Sequence, residues 1–325
     1  MFLLLKYTLL YTVVLMMVAL GGMFSERSGI INIALEGIMV IGGVAGVLTL
    51  TMLPASLSPF LVVLISILVA ALAGVIYSLL LAFASINLKA DQTIGGTALN
   101  LMAPALVLFF IRIIANQNTL QMLTGDAASW FMIKKSTLGI DKNTDLGFFG
   151  ETFVNKVYLA TYVCILLFLI LSILLYKTRF GLRLRACGEN PQAADSLGIN
   201  VYKMRYIGVL ISGVLGGIGG MAYIIPSVSS WNFEVGVSGA GFLALAVMIF
   251  GQWKPFRIFL AAVFFALFKS LANIASSIPF LAELGWTQNM YNMIPFIASM
   301  IILAFTSKKS RAPKAEGIPY DKGSR

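Results

Sequence analysis

Nine stretches of this sequence stay apolar for so long that water cannot hold them: 3–24, 37–53, 59–84, 92–113, 157–176, 204–225, 238–252, 256–275 and 288–306. About 20 helical residues cross the roughly 30 Å hydrocarbon core of a bilayer. In hydrocarbon every backbone amide and carbonyl must be bonded within the protein, which makes the helix the spanning element for runs of this length. The expected fold is therefore an all-α polytopic membrane protein with about nine transmembrane helices. With 59% hydrophobic and 11% charged residues among 325, the chain has no room for a large soluble domain, in which about 25% of residues are charged. Pro54 and Pro59 bracket one turn, and Lys254-Pro255 separates two runs because proline cannot donate to a preceding helical turn. The first run carries Lys6 but lacks the short core and small-residue cleavage site of a signal peptide, so it is expected to be a retained helix.

Nine spans put the termini on opposite sides, and the basic residues set which side is which, because basic loops resist translocation. One side collects sixteen Lys and Arg, including Arg27, Lys89, Arg183, Arg185, Lys203, Arg205 and the tail KKSRAPKAEGIPYDKGSR, against six on the other. The N-terminus is thus expected outside and the C-terminus in the cytoplasm. The net charge of +10 is then mostly this sidedness signal, and the basic tail, 307–325, is expected to rest on anionic lipid. No nucleic acid is expected as a partner, since only Tyr320 interleaves the basic cluster with an aromatic ring. The segment from about 114 to 156 is the one long external loop, and its Trp130, Phe131, Phe148 and Phe149 suggest an ordered cap.

Several chemistries drop out. There is no histidine, which removes His triads, His metal sites and most pH-switch chemistry. Cys164 lies in an apolar run and Cys187 in a charged island, so neither a disulfide nor a metal site is expected. No GxxxxGK[ST] phosphate loop occurs, so the chain is not itself an ATPase. Lys269 and Ser270 are adjacent on a helix and point apart, which makes a Ser/Lys nucleophile a poor reading. No catalytic residue and no bound cofactor are expected.

Three stretches are too polar or glycine-rich for plain spans: SERSGIINIALEG (25–37), KADQTIGGTALN (89–100) and EVGVSGAGF (234–242). Irregular backbone at membrane depth survives where protein or a water-filled cavity covers it, and transporters place solutes at such broken helices. Candidate solute contacts are Asn32, Glu36, Gln92, Thr93, Thr97, Asn100, Ser238, Trp231 and Phe242, with Phe233 as a further stacking face. Glu36 reads equally as a brace for a helix start, and Glu26-Arg27 as a local ion pair closing the first span. In SGVLGGIGGMAY (212–223), Gly213, Gly216, Gly217 and Gly220 have the small-xxx-small spacing of close helix contact, expected within the chain, with a subunit interface as the alternative.

Between two apolar runs lies LRLRACGENPQAADSLGINVYKMR (182–205). Asn190-Pro191 is a helix start, with asparagine as N-cap and proline at N1, and Gly198 is the stop. The intervening QAADSL is too short to be a stable helix alone in water. A capped, alanine-rich rod held between spans suits pressing against a partner outside the membrane.

RACGENPQAADSLGI resembles the coupling segment of ABC importer permeases of the branched-chain amino acid, ribose and nucleoside group. ERSGIINIALEGIMVIGG, ADQTIGGTALN and GFLALAVMIFGQWKP resemble three further motifs of that group, in the same order, so the resemblance spans about 20–306. The length and the SERSG before NIALEG are most similar to the shorter permease of purine-nucleoside importers. The resemblance implies a permease domain over 1–306, a coupling segment at about 177–204 and ATPase coupling through Glu189, Asn190, Pro191, Ala193, Ala194, Asp195 and Gly198. It also implies an ABC ATPase that binds the ATP, a second homologous permease forming a heterodimer, a solute-binding lipoprotein, and a place in the bacterial cytoplasmic (inner) membrane. A nucleoside is the expected solute, with branched-chain amino acids or ribose as alternatives. An ion-coupled secondary transporter is the reading from another class. It usually shows paired intramembrane carboxylates, where this chain has only Glu36 and Lys269.

Overall fold

The computed structural model describes residues 2–54, 56–115, 119–121, 132–133, 135, 139–141, 144, 147–154, 157–227, 230–232, 236–275, 278, 283–306 and 312–323. Its helices are α1 (Phe2–Arg27), α2 (Leu35–Met52), α3 (Pro59–Ile86), α4 (Gln92–Ala115), α5 (Gly147–Phe153), α6 (Leu159–Lys177), α7 (Arg179–Glu189), α8 (Pro191–Ser196), α9 (Val201–Ser227), α10 (Ala240–Phe250), α11 (Pro255–Ile274) and α12 (Gln288–Thr306). Each of the nine apolar runs holds a helix. Six of these helices are long and apolar enough to cross a membrane by themselves, and seven do so if α6 and α7 count as one span bent by 69°. That is fewer than the nine expected. Helix α6 qualifies only together with the bent α7, and α10 has 11 residues, about 16 Å at 1.5 Å per residue, roughly half the hydrocarbon thickness. The side chains of α12 lie partly outside the described set.

The N-terminal boundaries follow local chemistry. Ser58 caps α3 ahead of Pro59, and Pro255 opens α11 at N1, where proline's missing N–H costs nothing. Helix α9 is the axis of the bundle and packs on α1, α2 and α3. Its glycines set how closely. A Cβ on Gly217 would stand 2.3 Å from the carbonyl oxygen of Ala70 in α3, and one on Gly220 would stand 1.9 Å from that of Met39 in α2. The small-xxx-small pattern thus serves contact inside this chain. Large apolar side chains that remain exposed, such as Phe60, Leu64, Leu68 and Leu72 on α3 and Leu166, Ile170 and Ile173 on α6, give these helices outward faces suited to lipid.

Among the described residues, four short strands form two antiparallel pairs. β1 (Thr119–Gln121) pairs with β4 (Ser230–Asn232), and β2 (Met132–Ile133) with β3 (Val157–Tyr158). The expected external loop therefore contributes β1, β2 and α5 to one end of the bundle, while its Trp130 and Phe131 lie outside the described residues.

Candidate functional site

The charged island folds as its punctuation dictates. The Thr178 hydroxyl accepts from the Gly181 amide and caps α7, and Gly181 permits the bend, because a Cβ there would meet the Leu175 carbonyl oxygen at 2.2 Å. Asn190 Oδ1 accepts from the Ala193 amide at 3.0 Å, with Pro191 at N1 of α8. Gly198 then turns the chain with φ +78°, a left-handed conformation that costs other residues roughly 1 kcal/mol or more. Asn200 Oδ1 accepts from the Lys203 amide at 2.9 Å and starts α9.

The rod is anchored on one side and open on the other. Ala194 is buried, while Glu189, Asn190, Gln192, Ala193, Ser196 and Gly198 are exposed and Leu197 is 82% exposed. Behind it, Gly188 sits so close to α1 that a Cβ would meet the Arg27 carbonyl oxygen at 2.3 Å. Arg27 donates to Glu189 at 3.4 Å and to the Trp253 carbonyl at 3.2 Å. The local Glu26–Arg27 pair expected from the sequence is therefore replaced. Arg27 reaches across the chain to the base of the rod, and Glu26 accepts from the Trp253 indole N–H instead. The base of α8 thus touches the end of α1 and, through Arg27, the turn between α10 and α11, while its other end leads into α9.

The three irregular stretches meet one another. Gln92 Oε1 accepts from the Ile31 amide at 2.7 Å. Asn100 accepts from the Gly37 amide and donates to the Ile33 carbonyl, both at 2.8 Å, so α4 supplies the bonds that the broken backbone before α2 lacks. Asn32 is fully buried and donates to the Ser212 hydroxyl at 2.8 Å, with its own carbonyl oxygen left without a partner. Glu36 accepts from the Gly239 amide at 2.9 Å and the Gly241 amide at 2.6 Å. It caps α10, whose free amides and dipole favour an anion. The C-terminal end of α10 adjoins Arg27 through Trp253, so its capped end stands about half a bilayer away. Two interrupted helices thus present their N-termini to each other deep in the bundle, bridged by one carboxylate.

Around that point a small cavity is lined by Tyr11, Tyr223, Ser238, Lys269 and Phe296, among others. Ser238 takes φ +54° and lines this cavity beside Tyr223, and the Lys269 side chain, 5% exposed, lies within the field of Glu36. Thr93, Thr97 and Phe242 are exposed on the chain's surface, with the Thr97 hydroxyl donating to the Thr93 carbonyl. Trp231 belongs to β4 and its side chain is outside the described set, as is Phe233 altogether. The residues that sequence reasoning missed here are Tyr11, Ser212 and Tyr223. Each sits in an apolar helix, and a lone hydroxyl in such a run carries no signal of what it faces. Among the described residues no cluster could hold a metal ion, and both cysteines are free and buried.

The family model described as branched-chain amino acid transport system / permease component matches residues 4–304. The chain is 42% identical to the nucleoside ABC transporter permease protein NupC of Lactococcus lactis, over 97% of this chain and 95% of the relative. It is 40% identical to the guanosine ABC transporter permease protein NupQ of Bacillus subtilis, over 98% and 96%. A more distant similarity, 24% over 95% and 83%, links it to the nucleoside ABC transporter permease protein NupB of L. lactis. No solved structure matches.

Proposed function

We propose that a nucleoside is the solute, on the premise that the chain belongs to the family of branched-chain amino acid transport system permease components and is a transmembrane permease subunit of an ABC importer. It is a transport subunit, not an enzyme, and a multi-pass protein of the bacterial plasma membrane. The observation that carries the choice of solute is the end-to-end identity with relatives named for nucleoside and guanosine transport.

Family membership implies an importer built from an ATPase, paired permeases and a binding protein. In this reading α8 docks on the ATPase, which binds and hydrolyses the ATP, and Glu189, Asn190, Pro191, Ala193, Ala194, Asp195 and Gly198 form the contact or hold its shape. The second permease is a homologous chain, so the pair is a heterodimer. Its support is that this chain resembles two different nucleoside permeases of one organism. A lipoprotein delivers the solute outside. The chain makes nine crossings, with α10 completed by the irregular backbone before it, and the C-terminus lies in the cytoplasm. The clustering of Arg27, Lys89, Arg205 and Lys322 around the α8 end of the bundle supports that sidedness.

The solute path runs past the facing ends of α2 and α10. Asn32 and Ser238 offer polar contacts, Glu36 holds the half-helix in place, and Thr93, Thr97, Asn100, Trp231 and Phe242 line the approach, the aromatic rings giving a base a stacking face. ATP-driven motion of α8 swings these ends apart. Vesicles carrying the whole complex are expected to take up labelled guanosine or inosine only with ATP, and to ignore leucine and ribose. Ala193→Glu is expected to cut uptake at least tenfold while ATP hydrolysis continues. Leucine or ribose uptake in place of nucleoside would refute the solute assignment, and uptake without ATP would refute the coupling.

A further inference from the structure

The sequence marks 307–325 as a basic tail free to lie on lipid, yet residues 312–323 fold back onto the bundle. The segment EGIPYDK (316–322) breaks the run of positive charge and supplies turn and aromatic residues. The Ala315 amide donates to the Gly188 carbonyl at 2.8 Å, and the Gly317 amide to the Gly29 carbonyl at 3.3 Å. Gly317 takes φ +76°, and a Cβ there would stand 2.8 Å from Ile31. Tyr320, 6% exposed, packs edge to face on Tyr202 of α9 at 5.4 Å. Lys89, just beyond α3, pairs with Asp321 at 2.7 Å, and Lys322 approaches Asp195 of α8 at 4.0 Å.

Two buried groups make the contact more than surface dressing. Arg205 is 1% exposed, and its Nη1 donates to the Ile318 carbonyl at 3.0 Å, while its Nε and Nη2 find no acceptor. Without the tail that guanidinium would lose its bond to the Ile318 carbonyl, a severe cost for a buried cation. The Glu316 carboxyl lies close to that of Glu26, which receives the Trp253 indole N–H, and its own Oε2 is buried without a hydrogen-bond partner. Two carboxylates this close repel each other as anions, so the contact is held best when one of them carries a proton.

We propose that residues 312–323 are a strap forming part of the force-transmitting joint, tying α8 to the ends of α1, α3 and α9, and that it holds best while one of Glu26 and Glu316 carries a proton. The proposal rests on the reading of α8 as the coupling helix. The charged groups around Glu316 are Glu26 and Arg27 of α1, Glu189 of α7, which pairs with Arg27, Arg205 of α9 beneath the strap, and exposed Lys314 on the strap itself. Burial raises the Glu316 carboxyl from its ordinary 4.5 to about 7, against the opposing pull of the neighbouring Glu26 carboxyl and the Arg27 charge. A carboxyl whose docked value lies above its free value supports docking fully below the free value and loses that support as pH rises through the docked one. The strap is therefore tightest below about pH 4.5, loosens as pH rises from there through about 7, and is looser at pH 8.5 than at pH 6.

The test uses the complete reconstituted transporter, with pH varied on the ATPase side and solute taken up per ATP hydrolysed as the readout. Deleting 312–325 is expected to lower that ratio at least tenfold. The wild-type ratio is expected to fall several-fold from pH 6 to 8.5, and Glu316→Gln, which donates a hydrogen bond without titrating, is expected to flatten that fall. Wild-type coupling in the truncated complex, or an unchanged pH profile in Glu316→Gln, would overturn the strap. If the truncated chain does not assemble, the Glu316→Gln profile decides alone. ATP-independent uptake by the full-length complex would instead defeat the ABC reading beneath it, so the two failures are separable.

Discussion

Gly220→Leu is expected to leave almost no correctly folded protein. The Cβ it introduces would lie 1.9 Å from the Met39 carbonyl oxygen and 2.6 Å from the Met39 carbonyl carbon. Those are backbone atoms of α2, which cannot rotate away as a side chain would, so α2 and α9 must separate along their whole contact. Separation would also open the Gly42–Gly217 approach one turn away, where a Cβ on Gly42 already would stand 2.3 Å from Gly217 Cα. Overpacking a well-filled contact costs about 1–3 kcal/mol when neighbours can yield. Here they cannot, and a loss above about 4 kcal/mol, at the far end of single-substitution effects, is expected. The yield of monodisperse protein in detergent and its thermal midpoint measure this directly. Gly95→Ala is the matched control: its nearest neighbour is Leu81 at 3.9 Å, and its yield should match or slightly exceed wild type. Equal yields for Gly220→Leu and Gly95→Ala would show that α2 and α9 do not meet as described.

The second large effect belongs to Glu36. Glu36→Ala removes the acceptor for the Gly239 and Gly241 amides at the start of α10, and it leaves the buried Lys269 ammonium without its opposing charge. Leaving two buried amides without an acceptor costs about 1–3 kcal/mol each, roughly tenfold or more in the folded ratio. Lys269→Met on the Glu36→Ala background removes the stranded cation, so the double variant should be more stable than Glu36→Ala alone. It should not reach wild type, because the two amides stay unpaired. If Lys269→Met changes stability by the same amount in wild type as on the Glu36→Ala background, the two charges do not interact, since independent changes simply add. Uptake by both variants is expected to fall with the loss of the half-helix end.

These two sites differ in how readable they were. The α9 glycines announce close packing through their spacing, and the rod at 191–196 announces itself through Asn190-Pro191 and Gly198, since capping is local chemistry. The three polar interruptions also flag that they lie inward. Their partners are another matter: Gln92 binds Ile31 and Asn100 binds Gly37 through backbone atoms, which carry no residue signature. The same reason hid the strap, whose firmest bonds run from the Ala315 and Gly317 amides to the Gly188 and Gly29 carbonyls. Arg27 misled because its neighbour Glu26 is acidic, whereas its actual partner Glu189 lies far along the chain and is brought near by the α6–α7 bend.

The central claim is that α8 faces the cytoplasm and meets the ATPase there. Ala193→Cys provides the most direct measurement, because Ala193 is exposed while the native Cys164 and Cys187 are buried. A membrane-impermeant maleimide should fail to label this cysteine in intact cells, label it in inside-out vesicles stripped of the ATPase, and lose access when the ATPase is added back. Labelling from the outside of intact cells, or labelling indifferent to the ATPase, would contradict the account.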